Sequence, residues 1–428
     1  MNGITMHHRL PSTVHRPLST VILLALIGCG GEGAAPATPP ADGALLVADE
    51  GRNPTVAEDP RTGAAYVAWA VPGEAGADVF VARVEGEVVS APVRVNAEAG
   101  GAATHDQAPP QVAVGPDGVV YVAYLVQTDV PGRRFPASEL RVARSADGGR
   151  SFEAPVRPHA DAGFPTSHHF HALAVAADGT VYVSWLDGAA QDRYEAVHPP
   201  AEGDAHAHHA ASGPGTEVHV ARSTDGGRSF EPSVVVAQGT CQCCRTALAT
   251  DADGAVYVAW RHIYPGGDGP TIRDVAVARS TDGGATFSAP ARVHADGWRL
   301  DGCPHAGPAL AVDGAGRLHA AWFTGAEGRM GAYHAVADEG FAFGPPRPLS
   351  GETAGPHLAL AVDAGGAVWA VWEDGGHVRL GRVEKGADMP GSVWTGDRPA
   401  LSTSMAVVTR GDAVLVVPLG NRVSLAQR

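Results

Sequence analysis

The chain has 428 residues and 44% hydrophobic content, so it can bury a large core. Its 55 glycines and 33 prolines indicate many turns and exclude a fold built from long helices. The formal net charge of −15 leaves no basic surface to follow a phosphate backbone, so nucleic acid is not an expected partner.

The N-terminal residues have the pattern of a targeting segment. Basic residues precede an apolar run at 21–28, which is shorter than the roughly 20 residues that span a bilayer. The run ends in Leu26-Ile27-Gly28-Cys29, which resembles a bacterial lipobox. This resemblance implies that 1–29 is a lipoprotein signal peptide with Cys29 acylated, and that the protein is lipid-anchored in the cell envelope, facing the periplasm or exterior. The alternative is a signal peptide with an incidental cysteine, which would leave the mature protein unanchored.

Residues 30–42 are rich in Ala, Pro and Gly and are predicted to be a flexible tether. From residue 43 onward, one unit recurs: a short apolar strand, a turn and a second apolar strand. Seven copies are present, and their second strands end at Trp69, Tyr124, Trp185, Trp260, Trp322, Trp372 and Val417. The copies are irregularly spaced, which indicates insertions confined to loops. We expect the aromatic strand ends to pack between units rather than to contact a ligand.

A nearly identical turn occurs three times, at 145–152, 223–230 and 280–287. In each copy an Asp can hydrogen-bond the backbone of its own turn, paired glycines allow positive φ, and a Phe can anchor the loop; the aspartates are Asp147, Asp225 and Asp282. These segments resemble the Asp-box of sialidases and related β-propellers. The resemblance implies an all-β propeller over 43–428.

The number of repeats predicts seven blades, with six as the alternative. The last unit ends after its third strand, at 421–428, whereas the stretch 43–52 precedes the first unit without a partner. We therefore expect the N-terminal strand to complete the last blade and remove its open edge.

Propeller topology places the Asp-box turns on one face and the connections between blades on the other. Most histidines, and every cysteine after Cys29, fall on this second face, including Cys241, Cys243, Cys244, Cys303, His262 and His305. The sequence therefore predicts that this Cys/His-rich face binds a ligand or protein partner.

Three interpretations of the cysteines remain open. Disulfides persist outside the cytoplasm and would link two neighbouring loops, and this is the preferred interpretation. Thiolates together with His262 and His305 would instead hold copper or zinc. The third interpretation is a reactive thiol. A separate His-rich stretch at 203–213 can also capture divalent metal.

The sialidase resemblance also implies a carboxylate-binding arginine triad. Gly51-Arg52-Asn53-Pro54 resembles the family's x-Arg-x-Pro element, which makes Arg52 the first candidate. Further candidates are Arg245, Arg261, Arg273 and Arg299, with Asp301 or Asp106 as the acid. Gly51 replaces the family's aromatic residue, and no Tyr–Glu nucleophile pair is identifiable. We therefore expect a ligand-binding protein, with a sialidase-type glycoside hydrolase and a copper- or zinc-binding protein as alternatives.

Overall fold

The computed structural model describes residues 45–131, 133, 135–160, 165–198, 213–338, 340–363, 365–375, 377–383, 407–410, 413–416 and 423–427. The predicted signal peptide with Cys29, the tether and most of the His-rich stretch lie outside these residues. Within the described part of the chain, no helix is both long and apolar enough to cross a membrane.

Short strands account for nearly all regular structure, as alternating Val, Ala, Tyr and Trp residues favour β-structure. The first half contains β1 (Leu45–Ala48), β2 (Arg52–Glu58), β3 (Ala65–Pro72), β4 (Ala77–Glu85), β5 (Val88–Val89), β6 (Val93–Arg94), β7 (Gln111–Val114), β8 (Val120–Thr128), β9 (Ala137–Ser145), β10 (His168–Val175), β11 (Val181–Asp187), α1 (Ala189–Val197), β12 (Thr216–Ser223) and β13 (Val234–Thr240). The helix α1 was not expected from the sequence.

The second half contains β14 (Ala247–Thr250), β15 (Val256–Tyr264), β16 (Ile272–Ser280), β17 (Ala291–Arg292), β18 (Ala309–Val312), β19 (Leu318–Thr324), β20 (Gly331–Val336), β21 (Arg347–Ser350), β22 (Ala354–Val362), β23 (Val368–Asp374), β24 (His377–Val383), β25 (Val407–Arg410), β26 (Ala413–Val416) and β27 (Val423–Gln427). The described residues are therefore almost entirely β, which confirms the all-β prediction.

These strands form antiparallel sheets in which consecutive strands are neighbours. The orders are β2-β3-β4-β5 with β6 beside β4, β7-β8-β9, β18-β19-β20-β21 and β22-β23-β24. The group β10-β11-β12-β13 is joined to β14–β17 through the pair Thr240 and His262. The first strand of each unit contacts the first strand of the next, in the series β2, β7, β10, β14, β18, β22 and β25, and β25 contacts β2.

The N-terminal strand joins the C-terminal sheet, whose order is β1-β27-β26-β25. Leu45 lies opposite Leu425, and Leu46 lies opposite Ser424. The predicted pairing of the two chain ends is therefore confirmed. Trp69 packs with Val423 and Leu425 in one apolar cluster, which links the first sheet to this last one.

The aromatic residues at the ends of the second strands are core residues. Trp69, Trp185, Trp260 and Trp322 are each at most 1% exposed, and Tyr124 is 2% exposed. Every residue of β11 is buried, so this strand is covered on both faces. The prediction that these aromatics pack between units is confirmed.

The three repeated turns have the predicted hydrogen bonds. Asp147 Oδ1 accepts from the backbone N–H of Arg150 at 2.9 Å and of Ser151 at 3.0 Å, and Ser151 Oγ donates to Asp147 Oδ2 at 2.6 Å. The Ser151 hydroxyl is the main cause that lowers the pKa of Asp147 to about 2. The same bonds recur around Asp225 and Asp282, and the pKa of each is lowered by the equivalent hydroxyl.

The second glycine of each turn lies against a tyrosine of the preceding sheet. Its φ is 81° at Gly149, and a Cβ there would lie 3.1 Å from the Tyr66 ring. Phe152, Phe230 and Phe287 pack against apolar clusters, as expected. The Asp of each turn and the hydroxyl residues that bond it thus have a local structural role.

Register places these turns at the end of the sheet opposite to the cysteines and histidines. In the third unit, Ser223 before the turn pairs with Val181, the first residue of β11. His168 pairs with Asp187, the last residue of the same strand. The connections that precede the first strands therefore meet at the other end, which we call the connection face.

Candidate functional site

Three buried polar side chains form the floor of the connection face: Gln107 precedes β7, and His357 and Glu373 belong to the sheet β22-β23-β24. Gln107 Nε2 lies 3.1 Å from His357 Nε2, and His357 Nδ1 lies 2.9 Å from Glu373 Oε2. A carboxylate only accepts, so His357 Nδ1 donates to Glu373 and the Gln107 amide donates to His357 Nε2. The first strands contact one another in a ring, in which β7 and β22 are not neighbours. This chain of hydrogen bonds therefore reaches across the centre of the ring.

Arg245, in the connection between β13 and β14, belongs to the same floor. It is half-buried, and its guanidinium donates to the Leu358 carbonyl at 3.0 Å. Burial lowers the pKa of Arg245 to about 10, although the negative charges of Cys244 and Glu373 act to raise it. Of the predicted triad, Arg245 therefore lies near the centre, with part of its donor capacity already used by the backbone.

Histidines form the rim above this floor. His105 is exposed and meets the Phe170 ring edge-on, with centroids 5.6 Å apart, and the His169 ring lies 4.3 Å from Phe170. Burial is the main cause that lowers the pKa of His169 to about 3, so its imidazole is neutral at neutral pH.

Arg52 occupies the position in the first sheet that His169 occupies in the third. Arg52 pairs with Ala70, one residue after Trp69, and His169 pairs with Leu186, one residue after Trp185. The residues that follow them, Asn53 and Phe170, share an unusual positive φ of 53° and 57°. Arg52 is exposed and opens β2, as predicted.

Arg261 is a structural residue, which corrects its assignment as a substrate-binding arginine. It is 1% exposed and donates to three backbone carbonyls, those of Ala306 at 2.9 Å, Arg273 at 2.7 Å and Phe323 at 2.8 Å. The guanidinium also lies 4.9 Å from the centroid of the Trp298 ring. All three guanidinium nitrogens are bonded to backbone carbonyls, so the buried side chain fixes the segment before β18.

The other predicted catalytic residues differ in exposure. Asp301 and Asp106 are exposed, as is Arg299, which donates to the carbonyls of Gly266 and Pro270. Arg273 is buried and Arg245 is half-buried. Arg52 and Arg299 are therefore the exposed candidates, and part of the Arg299 guanidinium is already bonded to the backbone.

The three cysteines between β13 and β14 form a buried cluster. The distances between sulfurs are 3.3 Å for Cys241 and Cys243, 3.9 Å for Cys241 and Cys244, and 4.0 Å for Cys243 and Cys244. A disulfide needs about 2.05 Å. None of the three is in a disulfide, nor is half-buried Cys303, so the preferred disulfide interpretation is not confirmed.

Cys303 and His305 approach this cluster from the segment before β18. Cys303 packs against the three thiols, and the Ala306 N–H points at Cys244 Sγ at 3.4 Å. A hydrogen bond with Cys303 is the main cause that raises the pKa of His305. His305 is exposed and has a φ of 48°. The predicted association of the two loops through their cysteines is therefore present without a covalent bond.

His262 does not face the thiols, which corrects its place in the predicted ligand set. On β15 the neighbouring Ile263 packs against the cysteine cluster. His262 lies on the other side of the strand, where it accepts from Trp260 Nε1 at 3.1 Å and meets the Tyr264 ring.

Sequence reasoning missed Gln107 and Glu373. A usable signal exists, since Glu373 directly follows the aromatic residue Trp372, as Arg261 follows Trp260. Glu373 and Arg261 are both buried at the connection face. A charged residue directly after the strand-end aromatic, where other units have Ala70 or Leu186, marks a buried side chain that needs hydrogen-bond partners.

No protein-family model and no curated protein matches the chain. Solved structures are similar to it, including a Hadza microbial sialidase, Hz136, with 16% identity, a TM-score of 0.50, and coverage of 77% of this chain and 64% of that one. An α-L-arabinanase of Penicillium chrysogenum has 14% identity, 90% and 97% coverage and a TM-score of 0.51. A PL25 ulvan lyase has 13% identity, 89% and 94% coverage and a TM-score of 0.53. This chain therefore has a sialidase-like β-propeller fold.

Proposed function

We propose that the protein is a lipid-anchored, extracytoplasmic, seven-bladed Asp-box propeller that binds an acidic carbohydrate at its connection face. The cyclic contacts among the seven first strands support seven blades rather than six. The lipobox-like residues ending at Cys29 support the anchor and the location in the cell envelope. The fold likeness to a sialidase, an arabinanase and a lyase supports a carbohydrate ligand.

The observation that carries the proposal is the convergence at the connection face of planar polar side chains that are far apart in the sequence. Gln107, His357 and Glu373 form a buried, hydrogen-bonded floor, and exposed Arg52 and His105 stand at the same end of the sheets. Such a floor is ordered before a ligand arrives, which lowers the entropic cost of binding. Fixed amide, imidazole and guanidinium groups suit sugar hydroxyls and a sugar carboxylate.

The state of the candidate arginines favours binding without hydrolysis. A sialidase-type site must hold the substrate carboxylate while positive charge develops beside it. Arg261 is already bonded to three carbonyls, and Arg245 to one. Arg299 is exposed but donates to two carbonyls. Exposed Arg52 suffices to attract an acidic sugar, but a single arginine is not a clamp of the kind that a sialidase uses.

The test is a binding measurement on the full chain in detergent, with acidic and matched neutral oligosaccharides. We expect acidic sugars to bind, and Arg52→Ala to weaken binding about tenfold, equivalent to about 1.4 kcal/mol. Arg150→Ala is the matched control, because Arg150 is an exposed arginine in a repeated turn at the other end of the sheets. Equal losses in the two variants, or no binding of any acidic sugar, would refute the proposal.

The hydrolase alternative is tested with a fluorogenic sialoside on the same samples. We expect no release of sialic acid. Turnover that disappears in Arg52→Ala would replace the binding proposal with a sialidase-type activity. The anchor is tested separately by acyl labelling, which is expected in the wild type and lost in Cys29→Ser.

A further inference from the structure

The sulfur atoms of the connection face are spaced for a common metal ion. Cys241, Cys243 and Cys244 have sulfur separations of 3.3 to 4.0 Å, and their ligand atoms all lie within 4.8 Å of one another. A metal about 2.3 Å from each sulfur places two sulfurs about 3.8 Å apart in tetrahedral geometry and about 4.0 Å apart in trigonal geometry. The cluster therefore needs only small side-chain shifts to surround an ion.

The backbone holds this arrangement without any metal. The Cys241 N–H donates to the Arg261 carbonyl at 2.9 Å, and the next fixed point is Thr246, whose N–H donates to the Phe170 carbonyl at 2.9 Å. Across the cluster, the Arg261 guanidinium holds Ala306, and the Ala306 N–H points at Cys244 Sγ. Ligands fixed in this way lose little freedom on binding.

The surroundings exclude water from the thiols. The three cysteines are at most 5% exposed. The positive charges of Arg273 and Arg261 act on the cluster. A buried group of thiols beside guanidinium groups meets the requirement of a soft metal for deprotonated sulfur ligands.

A second pair of ligands lies on the solvent side. Cys303 packs against the three thiols. The His305 side chain forms a hydrogen bond with Cys303 and has an electrostatic interaction with Cys241. His305 adopts a left-handed backbone conformation, with a φ of 48°, which is uncommon for residues other than glycine. The segment from 303 to 305 therefore supplies a sulfur and an imidazole at the open edge of the cluster.

We infer that Cys241, Cys243 and Cys244, completed by Cys303 or His305, bind one thiophilic d10 metal ion, Cu(I) or Zn(II). Each coordinating thiol gives up its proton to solvent as the metal–sulfur bond forms, and no redox step is involved. The site adjoins the floor proposed for carbohydrate, since Arg245 directly follows Cys244, but its ligands are different side chains.

The test uses the untagged full chain in detergent, reduced, stripped of metal and kept free of oxygen. Cu(I) and Zn(II) are added in separate titrations against a competing chelator. We expect one tightly bound equivalent of at least one ion, and a loss of at least about 100-fold in affinity in Cys243→Ser. Thermal unfolding of each metal-free variant shows that the fold is intact.

Two controls isolate the thiol cluster. His262→Gln removes a histidine of β15 that faces away from the thiols. The metal affinity of this variant should therefore stay within about twofold of the wild type. Replacing His206, His208 and His209 together by Ala removes the separate His-rich stretch and should also leave the tight site unchanged. Retained tight binding in Cys243→Ser, or its loss in the triple histidine variant, would overturn the inference.

His305→Asn separates the two ions, because Asn tolerates the positive φ but removes the imidazole. A loss of about tenfold or more in Zn(II) affinity only would assign a four-coordinate zinc site. Unchanged Cu(I) affinity, with weak zinc binding throughout, would assign a three-thiolate copper site. If neither ion binds, and the four thiols of protein isolated without reductant become reactive only after reduction, the cysteines form disulfides and the inference fails.

Discussion

The two ends of the sheets differ in where their polar residues find partners. At the repeated turns, Asp147 is bonded to groups within four residues of itself. At the connection face, Gln107 bonds His357, 250 residues away in sequence, and Ala306 reaches Cys244, 62 residues away. The turns therefore stabilise local structure, whereas the connection face collects side chains from several sheets, which is where a ligand site is expected.

The largest effect should come from Arg261, because it fixes the connection face from inside. Arg261→Met removes three hydrogen bonds and leaves the carbonyls of Ala306, Arg273 and Phe323 buried without that donor. We expect a loss of about 3 to 5 kcal/mol in the free energy of unfolding. Urea denaturation measures it. A loss below about 1 kcal/mol would show that this arginine does not hold the face together.

Deletion of 43–52 should have the next largest effect. It removes β1, with the buried side chain of Val47 and the half-buried Leu45, and exposes the edge of β27. Loss of this apolar contact costs on the order of 3 kcal/mol, so the melting temperature should fall clearly. An unchanged melting temperature would favour six blades with a C-terminal extension.

Acid should destabilise the fold through a buried histidine. His171 is 1% exposed, and burial lowers its pKa to about 4, below the ordinary value near 6.5. The unfolded state therefore binds the proton more readily, so stability is complete above about pH 6.5 and declines as the pH falls towards 4, by up to about 3 kcal/mol. The carboxylate of Asp147, with its lowered pKa, adds its own loss only at still lower pH. In His171→Phe, the slope of stability against pH between 6.5 and 4.5 should be smaller, and an unchanged slope would contradict this assignment.

The smallest effect should come from a single repeated turn. Asp225→Ala removes hydrogen bonds to Ser229 and Arg228, but these are exposed. We expect a loss of about 1 kcal/mol or less, with metal and carbohydrate binding unchanged. A change in either binding property would show that the turns are not purely structural.

The contrast between the two ends also explains what could be predicted from the sequence. The strands, the repeated turns and the pairing of the chain ends depend on alternation and turn chemistry, which are local. The role of Arg261 depends on the carbonyls of Ala306 and Phe323, and no pattern of sequence spacing predicts that these carbonyls lie beside it. His262 was expected beside the thiols because it lies in the same region of sequence, but strand alternation turns it to the other side. Glu373 was missed because its partner, His357, belongs to an irregular start of β22.

The most direct test of the account is hydrogen–deuterium exchange with and without a saturating acidic oligosaccharide. Binding at the connection face predicts slower exchange in peptides covering 104–112 and 354–360, with no change at the turns 145–152, 223–230 and 280–287. Protection confined to the turns, with none at 104–112 or 354–360, would contradict the assignment of function to the connection face.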